Sequence, residues 1–143
     1  MAEALIRYKG IADIIVAVIL AVKPSIIYES FAAQTLHSLT CLQHNSDASI
    51  APGFNQSIAC MVAAVGVGHI VASRSGPAAR PTVFAMNLTW AILGCCTCAT
   101  PKTWGLGSAT LLMTSCSHTL FSLALFWTDP GVWGSQKQGK KRR

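Results

Sequence analysis

The sequence predicts an all-α membrane protein in which four transmembrane helices form one bundle. The chain has 143 residues, of which 52% are hydrophobic and only 11% are charged, whereas soluble domains carry about 25% charged residues. Three long stretches also contain no Asp, Glu, Lys or Arg: residues 48–73, 81–101 and 103–128. Each is long enough to cross the bilayer core as a helix, which takes roughly 20 residues. The alternative, a small soluble α-helical domain, is disfavoured because so short a chain cannot bury three apolar helices on all sides.

The four predicted spans belong to a single membrane domain that comprises residues 1–143. The first span is the least regular, because Asp13, Lys23 and Pro24 interrupt its apolar sequence. Lys23 lies near one end and can reach the interface, and a membrane helix tolerates a proline. A cleaved signal peptide is the alternative, but Asp13 and the lack of a clear cleavage site argue against it. The predicted spans are residues 10–27, 53–73, 82–100 and 106–127.

The positive charges predict the orientation of the bundle. With four spans, all of the eleven Lys and Arg residues except Lys23 and Lys102 fall on the same side. Cytosolic segments are enriched in Lys and Arg, so both termini are expected in the cytosol. The basic tail, residues 128–143, is short and lacks interleaved aromatic residues, so no nucleic-acid partner is predicted. Lys140 and Lys141 are fourth and third from the C-terminus, as in a dilysine retrieval signal, which favours the endoplasmic reticulum.

Polar side chains inside the predicted spans are the main candidates for a functional site, because each is costly in lipid unless it finds a partner. Four of them are predicted at one level of the cytosolic leaflet: Asp13, His69, Asn87 and Ser122. His118 is predicted about one helical turn deeper. An Asp beside a His can exchange protons near neutral pH, so Asp13, His69 and His118 are the candidate catalytic residues. Asn87 and Ser122 would position a substrate. The alternative is that all these groups bind one another as contacts between helices.

A second polar group is predicted at the lumenal ends of the first two spans. Glu29 is a further candidate acid or base, with Tyr28 as a hydrogen-bond donor that positions the substrate. Asn55 begins an N-x-S glycosylation sequon, although its closeness to the bilayer disfavours modification. Asn87 also begins a sequon but lies within a predicted span.

Nothing in the sequence predicts a metal or a cofactor. The sequence contains no P-loop, no G-x-G-x-x-G and no H-E-x-x-H motif. Three of the six cysteines cluster at residues 95–98, where an apolar helix uses them as small packing residues. His37 and His44 do not have a recognised zinc spacing. Ala64 and Gly68, four residues apart with Gly66 between them, are small residues of the kind that let a neighbouring membrane helix approach closely.

Three groups of motifs resemble a family of small fungal membrane proteins. They are GIAD at residues 10–13 with KPSIIYE at 23–29, APGFNQS at 51–57 with GVGH at 66–69, and SGPAARP at 75–81. Together they resemble the integral-membrane hydrolases of aurovertin- and citreoviridin-type polyketide biosynthesis. The similarity would cover most of residues 10–127.

The resemblance implies an enzyme that works beside a flavin-dependent epoxidase. The epoxidase would oxidise a polyene, and the hydrolase would open the epoxide to give hydroxylated or cyclic ether products without a cofactor. An apolar polyene would reach the site through the bilayer. Two alternatives stay open: an integral-membrane terpenoid cyclase, and a non-enzymatic scaffold or transport subunit. A homo-oligomer is compatible with four short helices that enclose little volume.

Overall fold

The computed structural model describes residues 1–44 and 48–133. This part of the chain is helical and contains no strand, which confirms the predicted all-α class. Asp47 lies outside the described residues. So do the Lys and Arg residues of the predicted tail, which include Lys140 and Lys141. The helices are α1 (Ala2–Val22), α2 (Ser25–Tyr28), α3 (Phe31–Thr40), α4 (Pro52–Arg74), α5 (Arg80–Cys98) and α6 (Ala109–Thr128).

Helices α4, α5 and α6 begin and end within three residues of the last three predicted spans. Each is long and apolar enough to cross a membrane. Their ends follow local rules. Pro52 occupies the start of α4, where a missing N–H costs nothing. The Ser108 hydroxyl caps α6 by accepting from the Leu111 amide at 3.1 Å.

The bounds predicted for the first span are wrong, and its composition differs from that of the other three spans. Helix α1 begins at Ala2, because no proline or glycine precedes Gly10 to stop it. It ends at Val22, because Pro24 drives the preceding residue out of the helical conformation, and Lys23 has φ −146° and ψ 72°. The longer helix therefore contains Glu3, Arg7, Lys9 and Asp13. With these charges α1 is not among the described helices that qualify as spans by length and composition.

The four long helices form two antiparallel pairs, α1 with α4 and α5 with α6. At one end of the first pair, the Gln56 side chain donates to the Ala21 carbonyl at 3.0 Å. At the opposite end of the bundle, where α5 begins, the Arg80 guanidinium donates to Asp129, just beyond α6, at 2.7 Å. It also donates to Glu3 of α1 at 2.9 Å. A small apolar core at this end joins α1, α5 and α6, and includes Ile6, Phe84, Phe121 and Leu125.

Several polar side chains are buried and many large apolar side chains are exposed, which is unusual for a soluble protein. Fully or nearly buried side chains include the polar residues Asn55, His69, Ser73, Asn87, Ser115 and Ser122. Large apolar side chains are exposed along all four long helices, for example Val18, Val71, Leu93 and Leu123. Water would penalise such an exterior at roughly 25 cal/mol per Å² of apolar surface, whereas lipid would not. The surface therefore fits the span assignment of α4, α5 and α6.

The backbones of α1 and α4 approach each other closely at Gly10 of α1 and Gly66 of α4. A Cβ atom added to Gly66 would lie 2.8 Å from the Gly10 carbonyl oxygen, and one added to Gly10 would lie 2.6 Å from the Gly66 oxygen. Gly68, which was also expected at a helix contact, has nothing within 4 Å of such an atom. Only Gly66 of the two serves the close contact.

This difference gives a matched pair of variants. Gly66→Ala is expected to destabilise the protein by about 1–3 kcal/mol, because the backbones of α1 and α4 must separate. Gly68→Ala should be neutral or stabilising by up to about 1 kcal/mol, because alanine favours the helix and meets no neighbour. Unfolding of the purified protein in mixed detergent and SDS measures both. Equal effects of the two variants would contradict the close crossing.

Candidate functional site

Four of the predicted site residues form one chain of hydrogen bonds across the bundle. The Asp13 carboxylate of α1 lies 3.0 Å from Nδ1 of His69 on α4. Nε2 of the same imidazole lies 2.9 Å from the Asn87 amide nitrogen on α5. The Asn87 amide oxygen lies 2.7 Å from Nδ1 of His118 on α6. One residue from each long helix thus contributes to a single network.

The Gly10–Gly66 contact explains why this network can form. Asp13 and His69 each follow one of these glycines by three residues, which is about one helical turn. The aspartate side chain is short, so it reaches the imidazole only because the two backbones are nearly in contact. Asn87 and His118 meet across the α5–α6 pair, in which Gly94 leaves room for a side chain of α6: a Cβ on Gly94 would lie 2.0 Å from the Ser115 hydroxyl.

The direction of each hydrogen bond follows from the chemistry of the groups. The Asn87 amide nitrogen can only donate, and it donates to the Val83 carbonyl at 2.8 Å and to Nε2 of His69. His69 must then carry its proton on Nδ1 and donate it to the Asp13 carboxylate. The Asn87 oxygen can only accept, so His118 donates from Nδ1. Neutral His118 therefore presents an unprotonated Nε2, the form in which imidazole acts as a base.

Burial differs along the network. The middle is closed to solvent, with His69 0% and Asn87 1% exposed, while Asp13 and His118 are half-buried. An amide cannot pass a proton on as an imidazole can, so Asn87 fixes the two imidazoles rather than relaying protons between them. Any substrate must therefore approach through His118 or from the Asp13 side.

Lys9 is a member of this site that sequence reasoning missed. Its ammonium group binds the Asp13 carboxylate, and it lies 5.9 Å from the centre of the Phe121 ring. The four-residue spacing of Lys9 and Asp13 on a helix was the available signal. It was not used because the helix was expected to begin at Gly10. Trp90, whose ring centre lies 5.6 Å from that of His118, was also missed.

Ser122 lies near the network but does not join it. It is 2% exposed, and its hydroxyl has no hydrogen-bond partner among the described residues. It lies one turn after His118 on α6 and faces a cleft between α5 and α6 with a volume of about 410 Å³. The cleft is lined by Phe84, Leu88, Thr119, Ser122, Leu123, Phe126 and Trp133.

The second predicted group lies at the opposite end of the bundle. The Tyr28 hydroxyl donates to the Asn55 side-chain oxygen at 2.9 Å, and burial raises the pKa of this tyrosine, which keeps the donor protonated. Glu29 is exposed. Asn55 and His69 are fourteen residues apart on α4, or about 21 Å along a helix. Glu29 and Tyr28 therefore do not belong to the Asp13 network.

Asn55 acts as a connector between α1 and α4. It is 7% exposed, and its amide nitrogen donates to the Leu20 carbonyl at 2.8 Å. A glycan would have to be attached to this same nitrogen. The geometry therefore argues against modification of the predicted sequon in the folded chain.

No metal-binding cluster of His, Cys, Asp and Glu occurs in residues 1–44 and 48–133. All six cysteines are free, and Cys95 and Cys96 face outward from α5. Comparison of the chain with protein-family models, with curated proteins and with solved structures gives no match. The functional argument therefore depends on the geometry of the site.

Proposed function

We propose that this chain is a membrane-embedded, cofactor-independent hydrolase or cyclase that opens the epoxide of an apolar substrate. The observation that carries the proposal is the directed hydrogen-bond chain from Asp13 to His118. It holds His118 in one tautomer and leaves Nε2 available as a base. The resemblance of the sequence motifs to membrane hydrolases of polyketide pathways leads to the same chemistry, with a flavin-dependent epoxidase as the source of the epoxide.

The chemistry needs only proton transfer and positioning. Nε2 of His118 takes the proton of a water molecule or of a hydroxyl group in the substrate. The oxygen that loses this proton forms a bond to an epoxide carbon, and the C–O bond of the ring breaks with its electron pair on the ring oxygen. Ser122 donates a hydrogen bond to that oxygen, which finally receives the proton from His118. Water gives a diol, and an internal hydroxyl gives a cyclic ether.

Asp13, His69 and Asn87 have a positioning role in this proposal. Asp13 holds the His69 proton on Nδ1, and His69 thereby accepts from Asn87 and fixes the amide orientation that His118 requires. Lys9 balances the charge of Asp13 within the bundle. An aspartate that only orients a histidine in this way can still contribute orders of magnitude to a rate.

We also propose that α1 lies in the membrane beside α4, which would make four helices in the bilayer. Gly10 faces the stretch of α4 from Gly66 to Ile70. Because the two helices are antiparallel, Glu3 and Arg7 lie nearer the end of α4 that carries Arg74. Only Lys9 and Asp13 lie deeper, and they bind each other. Paired charges are the form in which ionisable groups occur within spans. The excess of Lys and Arg at this end supports an orientation with both termini in the cytosol. The Lys140–Lys141 pair supports the endoplasmic-reticulum membrane as its location.

A non-enzymatic scaffold is the second candidate, and a specific observation favours it. His69 and Asn87 are fully buried and their hydrogen bonds are satisfied, which is how polar groups join membrane helices. In a scaffold, changes at His118 would matter only through stability. In an enzyme, they would remove product formation from a folded protein.

The product profile of a host tests the proposed function. The host carries a polyene synthase and its flavin-dependent epoxidase, with this protein intact, absent, or as Asp13→Asn. Loss of diols and cyclic ethers with accumulation of epoxides is expected when the protein is absent, and in Asp13→Asn at an unchanged level of membrane protein. Unchanged products without the protein would exclude the proposed function. Normal products in Asp13→Asn alone would exclude the role of the network.

A further inference from the structure

We propose that the cleft between α5 and α6 binds a neutral, lipid-like chain and places one oxygen group of that chain against Ser122. This inference builds on the proposed function, since it names the class of molecule that would bind at Ser122, one helical turn from His118. Its test measures binding separately from turnover. The two proposals can therefore fail independently.

The first argument comes from the Ser122 hydroxyl. Four other hydroxyls on α6 donate to backbone carbonyls of the preceding turn at 2.8–3.1 Å: those of Thr114, Ser115, Thr119 and Thr128. This is the usual arrangement for such residues inside helices. The Ser122 hydroxyl instead has no partner among the described residues, although it is buried. The Thr110 hydroxyl, in the first turn of α6, also lacks a partner among them but does not line the cleft. A buried polar group without a partner is costly, and a ligand oxygen in the cleft would satisfy the Ser122 hydroxyl.

The second argument comes from the walls. The cleft volume of about 410 Å³ lies within the range of small-molecule sites. Its walls are aromatic and aliphatic apart from the hydroxyls of Thr119 and Ser122, and no charged side chain lines it. A carboxylate or an ammonium group would lose its hydration there without compensation. The oxygen group must therefore be neutral: a hydroxyl, a carbonyl, an ether or an epoxide.

The third argument concerns access and shape. Leu123 and Trp133 at the edge of the cleft are 54% and 70% exposed, so the cleft opens on the apolar surface of the bundle. A molecule dissolved in lipid can enter from the side. Ser122 lines the cleft but is only 2% exposed, so it is too recessed for a second helix to contact. These features favour a hydrocarbon chain over a protein partner.

Photolabelling of the full chain in lipid nanodiscs tests the inference. The probes are a long-chain alcohol with a diazirine in its chain and the matching hydrocarbon without the hydroxyl. The alcohol is expected to label the α5 and α6 peptides that contain Leu88 and Leu123. Ser122→Ala should weaken half-saturation by the alcohol about three- to tenfold, the worth of one hydrogen bond. Labelling by the hydrocarbon should not change.

Two further variants complete the experiment. Ser115→Ala removes a buried hydroxyl that is already satisfied by its own helix, and it should leave alcohol labelling unchanged. Leu123→Trp should fill the cleft and remove labelling by both probes. Equal labelling by alcohol and hydrocarbon, no effect of Ser122→Ala, or labels only on the outer face of α5 would each overturn the inference. Labelling as expected without any epoxide turnover would preserve it and exclude the proposed function.

Discussion

Replacing His118 by alanine is expected to reduce epoxide opening by about 10²–10⁴-fold, the usual contribution of a general base. His118 is the half-buried end of the network, and Nε2 is its free position. Because the other network residues keep their mutual bonds in this variant, the protein should still fold and reach the membrane. Initial rates with an epoxy-polyene in membranes, normalised to the amount of folded protein, measure the effect.

His37 provides a matched control for this variant. It lies on α3 and bonds the Leu42 carbonyl at 2.6 Å, outside the network. His37→Ala should therefore keep the full rate. A His118→Ala protein that is folded and as active as the wild type would show that this imidazole is only a contact between helices.

Replacing Asn87 by alanine is expected to have the largest effect on stability, a loss of about 2–6 kcal/mol. Asn87 is 1% exposed and is the partner of both His69 and His118. Its removal leaves two imidazole nitrogens without partners, and each buried unsatisfied group costs about 1–3 kcal/mol. Unfolding in mixed detergent and SDS measures the loss of stability.

Thr89→Ala is the control for Asn87→Ala, because Thr89 is exposed on the same helix. Its effect should stay within about 0.5 kcal/mol. A small effect of Asn87→Ala would mean that water or a rotated His69 replaces the amide. The hydrogen bonds of Asn87 would then no longer be evidence for the tautomer of His118.

The sequence predicts the last three helices well because one physical signal dominates them. Stretches without charge that exceed the width of a bilayer leave little choice of structure, and α4, α5 and α6 lie close to them. The first helix was predicted less well because two signals compete there. The positive charges Arg7 and Lys9 were assigned to a segment before the span, whereas the helix extends through them and pairs Glu3 with Arg80 and Lys9 with Asp13.

The site could be predicted at the level of membrane depth and no further. Asp13, His69, Asn87 and His118 were grouped because similar positions along four spans put them at a similar height, and they do bond one another. Height does not determine which way a side chain faces around its helix. That is why Ser122 was expected to bond the others, whereas its hydroxyl bonds none of them. Glu29 could not be excluded by sequence either, since only the contacts of Tyr28 and Asn55 place that group at the far end.

The most direct test of the account uses the purified protein in lipid nanodiscs, a synthetic epoxy-polyene and water labelled with oxygen-18. The account predicts loss of the epoxide faster than in empty nanodiscs, with one labelled oxygen in a diol product or none in a cyclic ether. It also predicts that His118→Ala lowers this rate by about 10²–10⁴-fold, towards that of empty nanodiscs. Equal rates with the wild-type protein and with empty nanodiscs would contradict the assignment as an epoxide-opening enzyme. The network would then be a set of hydrogen bonds that holds the helices of a membrane scaffold together.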